Sequence, residues 1–159
     1  MRVKSFGLVI PLAICLFSTS CILLTECKRL RRLPPEDQAF LKLDSRDQLA
    51  LFKEMPLERQ LDLVIKNAKH CHHGKPALSW EVAKKKEKAV PLLEDALQRE
   101  QHTGVELAIV WTLEMILRQD YDFRDNISLM RLLEKRATQA GPNSVLRKSV
   151  DEIVTYPKQ

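Results

Sequence analysis

From Pro34 onward, apolar residues recur at three- and four-residue intervals, the spacing that gathers them on one side of an α-helix. No stretch alternates Val, Ile and Thr with polar residues as a half-buried strand would. Pro34-Pro35-Glu36-Asp37 predicts a short helix running through Leu43, because proline suits a first turn whose N–H groups lack intrahelical partners. Ser45-Arg46-Asp47-Gln48 has the spacing of a capping box and predicts a second helix to Met55. Pro56 opens a third, ending near Cys71, with Leu57, Leu61, Val64, Ile65 and Ala68 as one stripe. A loop over His72–Ser79 then leads into a helix from Trp80 to Glu100. Pro91 lies inside it and predicts a kink or restart near Val90, since its ring removes one backbone hydrogen bond and crowds the preceding turn.

Thr103-Gly104-Val105-Glu106 has capping-box spacing again. The helix after it, Val105 to Arg118, is apolar at Val105, Leu107, Ala108, Ile109, Val110, Trp111, Leu113, Ile116 and Leu117. A helix apolar around most of its circumference must be covered on several sides, so this one is expected at the centre. Asn126 predicts the cap of the next, with Leu129, Leu132, Leu133 and Ala137 facing inward and Gly141-Pro142 ending it. The last helix, Ser144 to Thr155, is expected to bury Val145, Leu146, Val150 and Ile153. The fold class is therefore all-α, with a helical domain over residues 35–157.

A repeat is visible within that domain. "AVPLLEDALQRE", a four-residue turn and "VELAIVWTLEMI" together resemble a HEAT-type repeat, in which a first helix with an internal proline packs antiparallel to a more apolar second one. "NISLMRLLEKRA" followed by "SVLRKSVDEIV" resembles a second copy. Val105, Val110 and Leu113 fall on Val145, Val150 and Ile153 at a spacing of 40, close to the roughly 40–47 residues of such repeats. The second copy lacks the proline and has Lys148 opposite Ala108. The resemblance implies antiparallel helical hairpins, arranged as a HEAT-like repeat or as an irregular helical bundle. It further implies a stacked surface that binds peptides or proteins and performs no chemistry.

The N-terminal segment has a different composition. Arg2 and Lys4 precede an uncharged run from Ser5 to Thr25, whose apolar part, Phe6 to Phe17, gives way to Ser18-Thr19-Ser20. That is the layout of a secretory signal peptide. Phe17-Ser18-Thr19-Ser20-Cys21 resembles the lipobox of bacterial lipoproteins, with Ser18 where that family most often has Leu. The resemblance implies a signal peptide over residues 1–20, lipidation of Cys21, a basic tether over residues 21–34, and an extracytoplasmic protein held on an envelope membrane by its N-terminal lipid. An uncleaved single-pass anchor in the inner membrane is the alternative: the twenty-one uncharged residues reach the roughly 20 needed to span a bilayer. The cations Lys28, Arg29, Arg31 and Arg32 would then hold the helical domain in the cytoplasm.

Charge narrows the partners. The formal net charge is +5, with cations concentrated at Lys28–Arg32 and Lys84–Lys88, which suits an anionic lipid surface or an acidic protein. No aromatic residues interleave these cations, so nucleic acid is not expected. The one cluster that invites chemistry is "NAKHCHHGKP". His70, Cys71 and His73 are metal-ligand types, but neighbouring residues at a helix end diverge, and no carboxylate pair or Cys-x-x-Cys completes a site. A metal-binding protein using the His70–His73 cluster is accordingly a distant alternative. Asp120, Asp122 and Asp125 lack the glycine and the downstream glutamate of a calcium loop. No catalytic residue, cofactor or enzymatic activity is expected. In an oxidising compartment Cys27 and Cys71 would remain as a candidate disulfide pair, given a lipidated Cys21 and a removed Cys15.

Overall fold

The computed structural model describes residues 31–70 and 76–157. Among these the chain forms eight α-helices, one short 3₁₀ turn and no strand. The helices are α1 (Pro35–Lys42), α2 (Ser45–Glu54), α3 (Leu57–His70), α4 (Pro76–Ala83), α5 (Ala89–Arg99), α6 (Thr103–Leu117), α7 (Ile127–Ala140) and α8 (Val145–Thr155). The all-α expectation thus holds. None of these helices is long and apolar enough to cross a membrane. The candidate signal segment and the alternative anchor both lie outside the described residues.

The last six helices form three successive pairs, α3–α4, α5–α6 and α7–α8, stacked in two layers. Side-chain bonds between pairs fix the direction of each layer. In the first layer, Glu94 of α5 bonds Asn126 at the start of α7, while Arg136 near the end of α7 bonds Leu97 O at the end of α5. In the second layer, Trp111 of α6 meets Ser149 of α8, and Arg118 after α6 reaches Glu152 further along α8. Helix α5 therefore runs parallel to α7 and α6 to α8, and Arg124 before α7 reaches the Tyr156 carbonyl after α8, closing the last pair as an antiparallel hairpin. Helices α1 and α2 cover the first pair, joined by the stacked rings of Phe40 and Phe52 with centroids 6.0 Å apart. Leu33, expected in the basic tether, is buried in the core, and its carbonyl accepts from Gln38 Nε2.

Helix α6 lies at the centre, as its composition requires. It packs on α3, α4, α5 and α8, and Val105, Ile109, Val110, Leu113 and Ile116 are fully enclosed. Thr112, polar yet buried, donates its hydroxyl to Ala108 O one turn back, so no donor is stranded.

Several boundaries differ from the sequence pattern, each for a local reason. The cap of α2 is Asp44, not Ser45: its carboxylate accepts the N–H groups of Arg46 and Asp47. Both residues are good caps, and the chain turns one residue earlier. No side chain caps α6, which begins at Thr103. Gly104 serves there to let two helices approach, because a Cβ on it would stand 2.9 Å from Ala68 O. The kink or restart expected near Val90 is a restart, so the run expected from Trp80 is two helices. Helix α4 starts at Pro76, and the break falls at Lys84–Lys88, where Lys86 takes a positive φ of 44°. Pro91 lies one turn downstream in the first turn of α5, where its missing N–H costs nothing. Asn126 caps α7 as expected, and Ser144, expected as the first residue of α8, is its cap; they accept from Leu129 N and Arg147 N. Gly141 ends α7 at φ 90°, a conformation suited to glycine.

One core position fails. Val145 is 57% exposed although its repeat counterpart Val105 is fully buried. Val105 sits two residues inside α6, where α3 and α4 cover it. Val145 is the first residue of α8, which packs mainly on α6 and α7. Leu132 is only half-buried, against the rim of the core. Leu113, by contrast, is fully enclosed. Leu113→Ala is therefore expected to lower stability by about 2–5 kcal/mol through lost burial and a residual cavity, while Lys85→Ala on the exposed turn changes little. Urea midpoints of the two variants check this; equal midpoints would contradict the placement of α6.

Candidate interaction surface

The α4–α6–α8 layer carries apolar residues that the other described residues leave partly uncovered. Helix α6 buries most of its circumference, yet Leu107, Ala108, Trp111 and Met115, spaced at one helical side, are exposed or half-buried. Trp111 is 40% exposed and Trp80 on α4 is 43% exposed. The Trp111 indole is not free to swing, because its Nε1–H donates to Ser149 Oγ at 3.2 Å across the α6–α8 seam. What points outward is ring carbon held in place. Large apolar side chains grouped on one face mark interaction sites more often than scattered ones do.

Charge surrounds this stripe. One turn beyond Trp80 lies Lys84, which pairs with Glu81 at 2.7 Å, and Glu81 also faces Lys53 of α2 at 3.8 Å. One turn beyond Met115, Arg118 engages Glu114 and lies 3.9 Å from Glu152.

The candidates picked out in the sequence fall elsewhere. Cys21, Cys27, Cys71 and His73 lie outside the described residues, so the lipidation, disulfide and metal expectations resting on them do too. His70 is the half-buried last residue of α3 and has an interaction partner. Among the described residues no group of His, Cys, Asp and Glu is arranged to hold a metal ion. A cleft of about 300 Å³ beside Glu106 and Arg136 is structural in character. Arg136 donates there to the carbonyls of Leu97 and Glu100 at 3.0 Å, closing the end of α5, and pairs with Glu106 at 3.3 Å.

The most deeply buried charge also builds the fold. Asp37 of α1 is fully enclosed and accepts from Lys66 Nζ at 2.7 Å and from Arg59, both on α3. Asp62 completes the cluster, 2.6 Å from Arg59 and 2.8 Å from Lys66. Burial pushes the Asp37 carboxyl up, but the hydrogen bonds and charges of Lys66 and Arg59 outweigh it and hold the group below the usual carboxylate range. Desolvation lowers Lys66 and Arg59, but the hydrogen bonds and charges of Asp37 and Asp62 outweigh it and raise both. Together these ion pairs dock α1 on α3. The sequence missed this cluster because Asp37 looks like a first-turn acidic residue, favourable at any helix N-terminus.

No protein-family profile, curated protein or solved structure matches the chain. What can be said of its function therefore rests on its own residues.

Asp37 carries a pH dependence of definite sign. Its pKa is depressed in the folded state, so its stabilisation is present above the ordinary carboxylate pKa of about 3.9 and is lost as pH falls below that value. Asp37→Asn should cost about 2 kcal/mol at pH 7, within the range for stranding partners of a buried group, and moderated because Arg59 and Lys66 keep some access to water. The gap between wild type and variant should close as pH falls below about 4. Urea titrations at several pH values measure it, and a gap that stays constant with pH would refute the assignment.

Proposed function

We propose that this protein is an exported, lipid-anchored scaffold whose helical domain holds a partner protein on its α4–α6–α8 layer, without catalysis. The observation that carries the interaction role is the apolar stripe on α6, centred on an outward-facing indole that Ser149 fixes in place. An anchor residue ordered before binding loses little side-chain freedom on association, which is how buried aromatic hot spots act. Stacked helix pairs present such faces as a layer, since each pair touches mainly its neighbours. Attachment is supported by the N-terminal sequence, where the basic start, the apolar run and Ser18-Thr19-Ser20-Cys21 follow the order of a lipoprotein signal. Cys21 would take the lipid through its sulfur.

The second reading, a helical domain facing the cytoplasm on an uncleaved anchor, is favoured by Lys28, Arg29, Arg31 and Arg32 directly after the apolar run, because cations resist translocation. Intact mass of the detergent-extracted protein separates the two. A chain starting at Cys21 with added acyl mass is expected, and Cys21→Ser should accumulate the unprocessed precursor. An unmodified chain retaining Arg2 and Lys4 would favour the anchor. The interaction role is tested separately by a photo-crosslinking amino acid placed at Met115 in the native membrane. A discrete protein adduct that is absent when the same probe replaces Glu58, on the exposed side of α3, is expected; identical adducts at both positions would count against the face.

A further inference from the structure

We infer that α1 is a strap that lifts from the stack as a unit while α3 to α8 stay folded. Helices this short do not persist alone in water, so Pro35–Lys42 is helical only while docked. It docks along one side: Leu33, Asp37, Phe40 and Leu41 are buried, whereas Pro35, Glu36, Ala39 and Lys42 are exposed. Its attachments are few. Phe40 stacks on Phe52 of α2, Gln48 of α2 donates to Phe40 O, and Asp37 engages Arg59 and Lys66 of α3. Helices α3 to α8 share broad packing seams with their neighbours, and α1 shares none of comparable extent. Elements held by few buried contacts open more readily than the core.

Asp62 makes the lifting reversible. A buried ion pair is normally costly to break, because the partner left behind becomes an unmatched buried charge. Here the partners left behind stay matched. Arg59 and Lys66 lie 2.6 and 2.8 Å from Asp62 on their own helix, at the three- and four-residue spacings that bring side chains together. Both also reach water, with side chains 33% and 26% exposed. When α1 lifts, Asp37 passes into water and the two cations keep Asp62. When α1 is down, the two carboxylates share the cations and repel each other. Asp62 therefore favours the open strap and Asp37 the closed one. Among the described residues α1 is the first helix, so a pull from the Arg31 end reaches it before the stack, and lifting it uncovers the otherwise enclosed Phe52.

Hydrogen–deuterium exchange of the full chain in dodecyl maltoside, read by mass spectrometry of proteolytic fragments, tests the strap. The amides of residues 38–43 are compared with those of 109–116 in α6, each corrected for its intrinsic rate. Exchange over 38–43 is expected to be about tenfold faster or more. Low urea should speed exchange in α6 more steeply than in α1, because a local opening exposes little surface. Asp37→Asn should speed exchange over 38–43 by about tenfold, the loss of one ionic partner of a buried pair, and Asp62→Asn should slow it severalfold. The Asp62 side chain is 40% exposed, so that variant keeps its fold. A purely structural ion cluster would loosen α1 on loss of either carboxylate, and opposite signs separate the two. Equal protection of α1 and α6 overturns the inference, as does the same urea slope for both. Unchanged exchange over 38–43 in Asp37→Asn, or exchange there that is not slowed in Asp62→Asn, overturns it as well.

Discussion

Helix α6 is the constraint to which the other helices answer. Its residues are apolar on nearly every side, and exposing them to water would cost on the order of 1.5–3 kcal/mol for each large side chain. The fold meets that demand by surrounding α6 with α3, α4, α5 and α8. Four neighbours around one helix cannot be provided by a single hairpin, so a two-layer stack of pairs follows. The close approach of α6 to α3 in turn depends on Gly104, where the backbone alone leaves room beside Ala68.

Short helices packed this way expose many chain ends, and polar side chains close them. Gln48 Nε2 donates to Phe40 O and Gln60 Nε2 to Met55 O, each at 2.9 Å, satisfying carbonyls left over at the ends of α1 and α2. Arg136 does the same for α5 from the neighbouring pair. Such bonds contribute modestly in isolation, about 1 kcal/mol each, but they set where helices stop and how one pair registers on the next. The Asp37 cluster performs this role with full charges, so acid is expected to loosen α1.

The uncovered side of α6 is the consequence that bears on function. The stack supplies cover from the first layer and from α4 and α8, and leaves the outer edge of α6 open. Leu107, Ala108, Trp111 and Met115 occupy that edge, where a solvated helix would carry charge. An apolar edge on the most buried helix, stiffened by the Trp111–Ser149 bond, is a feature that folding alone does not require.

Much of this was legible from residue spacing. The 3.6-residue periodicity located α3, α6, α7 and α8, Asn126 marked a true cap, and the apolar circumference of α6 identified it as central. These are local signals, set by the chain's own helical geometry. The break before α5 was legible from Pro91, which predicts a kink or restart near Val90, one residue from the observed start at Ala89; the start of α4 at Pro76, inside the expected loop, was not. Trp111 likewise looked like core by its type, and Val145 by its repeat position. Exposure of each depends on which helices stand beside it. The sequence by itself determined an all-helical chain with α6 at its centre, since burial preference and periodicity act within each segment. Tertiary structure alone decided that Asp37 meets Arg59 and Lys66, that Arg136 closes α5, and that the open edge of α6 holds the tryptophan, because those facts depend on contacts between residues far apart in the chain.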